Sequence, residues 1–308
     1  MKNRFIAVIL SVMMILALGA CGGKETKNEL RMYDGPYTEP RLIHYMTKLI
    51  VEEHTDLKVK MKDEMSEVNM FKELTSATPS CDLMNCYDGT LLTTFLHLDP
   101  VDVPEGKSIY EYANDVAMEK YGARMLKPLG HENTYAVAVP QDIADKYKLK
   151  TISDLIPVAP ELIFGAEHGF FTQEGSMKYG PFTEFYGLNF KDGVPVDIGL
   201  KYAAIENGNF QVTEVYSTDG LNKKAKLVIL EDDQKFFPEY NGALLVREDI
   251  FEKYADAAPN LEEVLNMLSG HLSDEIMTNL TYEVDVEGKT VQEVAKDFLI
   301  SEGLIASK

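Results

Sequence analysis

The sequence predicts an α/β protein of two lobes with a ligand cleft between them. Three observations predict it. From residue 30 onward, strand-like segments alternate with helix-like ones. The alternation falls into two sets. Two apolar strands, near Tyr135–Val139 and Gly242–Val246, join those sets, so the chain crosses out of one lobe and later returns. Lobe 1 is then residues 30–135 plus 243–308, and lobe 2 is 136–242. Ligands of open α/β sheets sit beyond the carboxyl ends of the strands, and a cleft between two such lobes can close by hinge motion.

Ahead of the lobes lies an address. Lys2 and Arg4 precede an apolar run from Phe5 to Leu18, broken only by Ser11, and Leu18-Gly19-Ala20 leads into Cys21. Residues 1–20 are expected to be a secretory signal, too short and wrongly flanked for a spanning helix. The Leu-Gly-Ala-Cys order looks like a bacterial lipobox, which would make Cys21 the lipidated first residue of the mature chain. The polar stretch through residue 29 reads as a flexible tether.

Within lobe 1, Leu30–Tyr33 alternates as a strand. Thr38 is the expected N-cap of a helix whose apolar stripe runs through Leu42, Met46, Leu49 and Ile50, with Pro40 in its first turn. Leu57, Val59 and Met61 alternate with lysines as a half-buried strand. Val68, Phe71 and Leu74 mark a short helix, and Cys81–Met84 a buried strand ending at Tyr87-Asp88-Gly89-Thr90. Asn133–Pro140 is a strand without alternation, as central strands often are. Helix-like stretches follow at 141–147 and 152–155.

Lobe 2 continues with a strand at Leu162–Ala166, a glycine-rich loop, and a helix over Phe182–Tyr186 capped by Gly187. A helix over Leu200–Ile205 and strands at Gln211–Tyr216 and Leu227–Leu230 complete it. After Gly242–Val246 the chain reads as mostly helical, through Leu261, Val264, Leu265 and Leu268, then Val291, Val294 and Phe298.

The 308 residues carry a formal charge of −20. Loss of Lys2 and Arg4 with the signal leaves 28 basic against 50 acidic residues, a charge of −22. Such a surface repels nucleic acid and anionic lipid. Of the three cysteines, Cys81 and Cys86 remain beside Cys21. They either form a disulfide, which needs a turn within residues 82–85, or stay as thiols. Cys-x4-Cys without a second Cys/His pair lacks the ligands for tetrahedral zinc, and no metal or cofactor is expected.

Several tracts carry a resemblance: Tyr37-Thr38-Glu39; Asp82-Leu83 with Tyr87-Asp88-Gly89-Thr90; Asn133-Thr134-Tyr135-Ala136; Gly165-Ala166-Glu167; Gly199–Ile205; Val215-Tyr216-Ser217-Thr218-Asp219-Gly220; and Phe237-Pro238-Glu239-Tyr240. In order and spacing the chain resembles the osmoprotectant-binding components of ABC importers, a branch of the type II periplasmic binding proteins, over nearly all of its mature length. The resemblance implies capture of choline, glycine betaine or carnitine by a monomer, held at the membrane by its lipid, for delivery to permease subunits. It implies a cage of Tyr87, Tyr135, Tyr202 and Tyr216, with Tyr37 from the first tract beside it. Thr90 matches a position that donates to a ligand carboxylate; as an N-cap before Leu91 it would also serve a helix start.

The chain departs from the family pattern twice. Pro40 stands where a ligand-bonding Gln is usual, and Asp88 where Thr is common after the cage tyrosine. A carboxylate at Asp88 facing the cleft would favour a cation over a zwitterion, whereas a turn residue before Gly89 would not. Against an exported enzyme, the sequence has no Gly-x-Ser-x-Gly elbow, no His-Glu-x-x-His and no phosphate-binding glycine loop. Against an adhesin or sensor ectodomain, it has no repeats or long stalk. Capture of another small solute, such as an amino acid, is the alternative within the binding class.

Overall fold

A computed structural model describes residues 28–172, 177–197, 200–238 and 240–307. The signal and lipobox residues expected at 1–21 lie outside these, as do most of the tether, Gly199 and Glu239.

The first half opens β1 (Glu29–Asp34), α1 (Thr38–His54), β2 (Lys58–Glu64), α2 (Glu67–Thr75) and β3 (Leu83–Tyr87). β1 and β2 pair in parallel. The helix start lies one residue earlier than Thr38 as a cap would place it: Tyr37 is the N-cap, and Thr38 sits inside with its hydroxyl bonded to Asp285 at 2.5 Å. β3 begins at Leu83 rather than Cys81, and the Asp82 side chain just ahead of it is fixed by charge. Its carboxylate takes Arg31 Nε at 3.0 Å and Tyr254 Oη at 3.0 Å, with Lys253 Nζ at 3.3 Å. Although burial raises the Asp82 pKa, these partners, Arg31 first, hold it below the ordinary value.

A helix absent from the sequence reading, α3 (Ile109–Tyr121), starts at a capping box of Ser108 and Glu111 and ends at left-handed Gly122. It leads to β4 (Ala123–Met125), which with β3 flanks β10 (Gly242–Arg247) in an antiparallel sheet of order β3-β10-β4. Strand alternation splits this sheet between two cores. Leu83 and Leu244 face a cluster with Leu30, Met46 and Phe298; Met84 and Leu245 face one with Met70, Phe71 and Phe95. Cys81 and Cys86 are buried free thiols, donating to the carbonyls of Leu83 and Tyr87.

The second half holds β5 (Tyr135–Pro140), α4 (Gln141–Tyr147), β6 (Ile163–Glu167), α5 (Tyr179–Tyr186), β7 (Asp192–Val196), α6 (Lys201–Glu206), β8 (Val212–Tyr216), α7 (Gly220–Lys224) and β9 (Leu227–Leu230). The sheet order is β7-β6-β8-β5-β9. β5 lacks polar alternation because both of its faces are covered: Val137 and Val139 pack with Phe164 and Phe182, and Ala136 and Ala138 with Val215. The chain closes on α8 (Asp274–Asp285) and α9 (Val291–Ser301), both packed on α1 in the first half.

Two segments link the halves side by side. Glu132 bridges Asn241, Asn133 N–H donates to Tyr240 O at 3.2 Å, and Gly242 N–H donates to His131 O at 3.1 Å. Behind them the halves also touch at Gly220, where a side chain would overlap the backbone of Tyr282 on α8.

Candidate functional site

Between the halves lies a cavity of about 700 Å³. The first half brings Tyr37, Glu39, Glu67, Tyr87 and Thr90 to it; Asn133 and Thr134 come from a linking segment; Tyr135, Tyr202, Tyr216, Thr218 and Asp219 come from the second half. Tyr240, Thr281 and Asp285 complete the wall. Six tyrosines therefore line one cavity, among them all four expected cage residues and Tyr37.

Each tyrosine is placed by local structure. Tyr87 ends β3 and Tyr135 begins β5, so both project where a strand meets the cleft. Tyr135 pairs with Tyr216 across antiparallel β5 and β8, and their rings stack with centroids 5.3 Å apart. Tyr202, on α6, places its hydroxyl 2.5 Å from Asp219 Oδ2 and 3.0 Å from Asn222 Oδ1. Asp219 itself caps α7 through Leu221 N–H. Tyr240 lies on Gly89, where any β-carbon would overlap its ring; that close approach is what demands glycine there.

The lobe 1 wall turns on Glu39, which is fully buried. Its carboxylate accepts from Tyr87 Oη, His131 Nε2 at 3.1 Å, Asn133 Nδ2 at 3.3 Å and Thr218 Oγ1 at 2.5 Å. Burial alone would raise its pKa, but the donors, His131 first, bring it below the ordinary glutamate value. Thr218 belongs to the second half, so one of these bonds spans the cleft. Glu67 and Asp285, by contrast, are raised, chiefly by burial. The tyrosine hydroxyls stay neutral. Burial lifts Tyr135 to about 12 and raises Tyr87, Tyr202 and Tyr216 as well.

Two expectations are corrected. Asp88 does not face the cavity: it is buried, accepting Asn241 Nδ2 at 2.8 Å, Asn241 N at 3.0 Å and Gly89 N at 2.7 Å. The backbone turning into a helix right after Tyr87 points its side chain at the linking segment instead. Thr90 lines the cavity but is not an N-cap, because helical turns already begin at Asp88; Thr90 has helical φ and ψ of −65° and −41°. Pro40 is buried against Gly35, away from the lining.

Sequence reasoning did not single out Glu39, Asn133, Thr218, Asp219 or Tyr240 as site residues, although all five lie in the tracts that carry the resemblance. Glu67 and Asp285 had no local signal, since only tertiary packing brings them in. Among the described residues no group of three His, Cys, Asp or Glu side chains is arranged to hold a metal ion. Among the described residues, the cavity lining includes four carboxylates and no Lys, Arg or His. Such a wall suits a cation with an apolar surface: ring faces for the methyl groups, and negative charge for the field.

Residues 29–301 match the family described as the substrate binding domain of ABC-type glycine betaine transport systems. The chain is 32% identical over 307 residues to a carnitine transport binding protein of Listeria monocytogenes, covering 97% of each chain. It is 32% identical over 229 residues to a glycine-betaine-binding protein of Pseudomonas aeruginosa, covering 71% of each. Its structure resembles a crystal structure of a glycine betaine/carnitine/choline ABC transporter protein with a TM-score of 0.80 at 27% identity, covering 89% of this chain and 99% of that one.

Proposed function

The chain belongs to the family of substrate-binding domains of ABC-type glycine betaine transport systems, and from that premise we propose that it captures a quaternary-ammonium compound in the tyrosine cavity. The observation that carries this is the convergence of Tyr87, Tyr135, Tyr202 and Tyr216 from both halves on one cavity. A trimethylammonium group has no N–H to donate, and its charge spreads over methyl surface. Ring faces attract it at roughly 0.5–2 kcal/mol each. Several together reach the roughly 8 kcal/mol of micromolar binding.

Choline is the preferred member of the class. Glu39, Glu67, Asp219 and Asp285 line the cavity without a lysine or arginine to receive a ligand carboxylate. Among the described lining residues, glycine betaine and carnitine meet neutral donors such as Thr90 and Asn133. Calorimetric titration of choline, glycine betaine, carnitine and amino acids into the purified domain tests the reading. Saturable choline binding, tighter than that of the betaines and with amino acids silent, supports it; binding of an amino acid alone overturns it.

The domain acts on the extracytoplasmic side as the binding component of its transporter, a role without turnover. Lipidation of Cys21 keeps it at the membrane, working as a monomer beside permease subunits, and the halves close over the ligand. Cys21→Ala is expected to release soluble protein or leave unprocessed precursor. Unchanged membrane retention of that variant after a salt wash counts against the anchor.

A further inference from the structure

Behind the cage lies an ion cluster that the binding reading does not use. Lys201, 1% exposed, places its ammonium 5.6 Å from the centroid of Tyr216 and 5.7 Å from that of Tyr202, and it is not part of the cavity lining. Two carboxylates hold it: Glu167 at 2.9 Å and Glu214 at 3.3 Å. Glu214 is fully buried, and its Oε1 accepts no hydrogen bond from the described residues. Alternation along β8 puts Glu214 on the same side of the strand as Tyr216.

We propose that Glu214 is a specificity-determining residue. Paired with Lys201 behind the rings of Tyr202 and Tyr216, it supplies a buried negative charge that makes the cage select a cation over a neutral ligand of the same shape. The inference rests on the quaternary-ammonium reading above. Methyl groups keep the charge of such a ligand from close ion pairing, so a counter-charge can act from beyond the rings. Buried there, it is shielded from solvent and salt. Lys201 alone would work against the ligand, because its positive charge sits at the back of two rings. The two carboxylates on the Lys201 ammonium outnumber it and reverse the sign there, while Lys178, the other cation facing Glu214, acts more weakly.

The groups facing Glu214 are Lys201 from α6, Glu167 from β6, Lys178 ahead of α5, Tyr135 from β5, and Tyr202 and Tyr216. Burial is the largest influence on its carboxyl and raises it to about 7; Lys201 opposes the rise and Glu167 adds to it. A bound cation favours the ionised form. Choline affinity should therefore climb as pH rises through 7, with partial proton release on binding.

The test titrates choline and its neutral isostere 3,3-dimethylbutan-1-ol into wild type and Glu214→Gln, from pH 6 to 8. Glu214→Gln is expected to weaken choline about ten-fold at pH 8, the scale of one lost charge at an effective dielectric near 20, and to change the neutral alcohol less than about two-fold. The wild type should bind choline more tightly at pH 8 than at pH 6, and the Gln variant should lose that slope. Calorimetry of the wild type in two buffers of different ionisation enthalpy reads the proton release without any variant. Equal weakening of both ligands, or a flat wild-type profile without proton release, overturns the inference while leaving the cage intact. If the wild type binds no quaternary ammonium at all, the ligand reading falls and this inference with it.

Discussion

The two walls of the cavity are built by different physics. On the lobe 1 side, Tyr87 is held at its hydroxyl by Glu39, a buried carboxylate that also gathers His131, Asn133 and Thr218. On the other side, Tyr135 and Tyr216 are held at their faces, by stacking on each other and by Lys178 and Lys201 at 5.2 and 5.6 Å. The first wall depends on acceptors being in place; in the second, Tyr135 and Tyr216 depend on their rings, while Tyr202 is held at its hydroxyl by Asp219 and Asn222. The difference teaches that similar tyrosines in one cage should answer differently to the same substitution.

The largest effect is expected at the acceptor wall, and on stability more than on affinity. Glu39→Ala leaves four buried or half-buried donors without their common partner. Losing one member of a buried charged network costs about 3–5 kcal/mol, so a thermal melt should show a large drop. Glu39→Gln, which keeps one acceptor oxygen, should fall between. The Glu39 pKa is depressed in the fold, so its stabilisation is present above the unfolded glutamate pKa near 4.5 and is lost as pH falls through the folded value. Wild-type stability should therefore fall in that acid window and the Glu39→Gln profile should be flatter there. A Glu39→Ala protein as stable as wild type would erase the distinction between the walls.

The ring wall should show the next largest effect, this time on affinity. Tyr202→Ala and Tyr216→Ala are each expected to cost on the order of 1–3 kcal/mol in choline binding, about ten-fold or more. Tyr216→Phe keeps the stacked face and should lose less than about three-fold. Tyr87→Phe, in contrast, removes the hydroxyl that meets Glu39 and should lower the melting temperature more than Tyr216→Phe does. Calorimetry and melts on the four variants sharpen the comparison; equal behaviour of the two Phe variants in both assays breaks it.

The walls also differ in how far the sequence disclosed them. Tyr135 and Tyr216 lie on stretches that read as strands, but the resemblance, not register, put them in one cage; the pairing of β5 with β8 that stacks them is visible only in the fold. Tyr87 was placed at the end of a buried strand. Glu39 was not assigned a role, because a glutamate in the first turn of a helix is ordinarily a solvated helix-dipole partner. Only the packing of β3 and the linking segments around it turns that position into a buried hub. Glu67 and Asp285 lie far apart in sequence, and nothing local points either at the cleft. Helix α3 went unread although Ser108-x-x-Glu111 and Gly122 mark both of its ends. Its apolar stripe is thin, with only Ala113 and Ala117 buried, and periodicity is the stronger signal.

The smallest effect on binding is expected at Asp88, between the two walls. A carboxylate facing the cleft there would make Asp88→Asn narrow the gap between choline and glycine betaine. Asp88 instead spends its oxygens on Asn241 and Gly89, so the ratio of the two affinities should stay within about two-fold of wild type, a change of under about 0.4 kcal/mol. Its effect belongs to folding. Burial raises the Asp88 carboxyl to about 6, against 3.8 for an ordinary aspartate. A raised folded value favours the protonated form, so the linked stabilisation is full below about 4 and is lost as pH rises through about 6. Asparagine carries no such titration. The stability of Asp88→Asn relative to wild type, followed by its melting temperature, should therefore rise between pH 4 and pH 6.5, by no more than about 3 kcal/mol. A several-fold shift in the choline-to-betaine ratio would instead turn Asp88 toward the ligand, and would make the junction of the walls part of the cage.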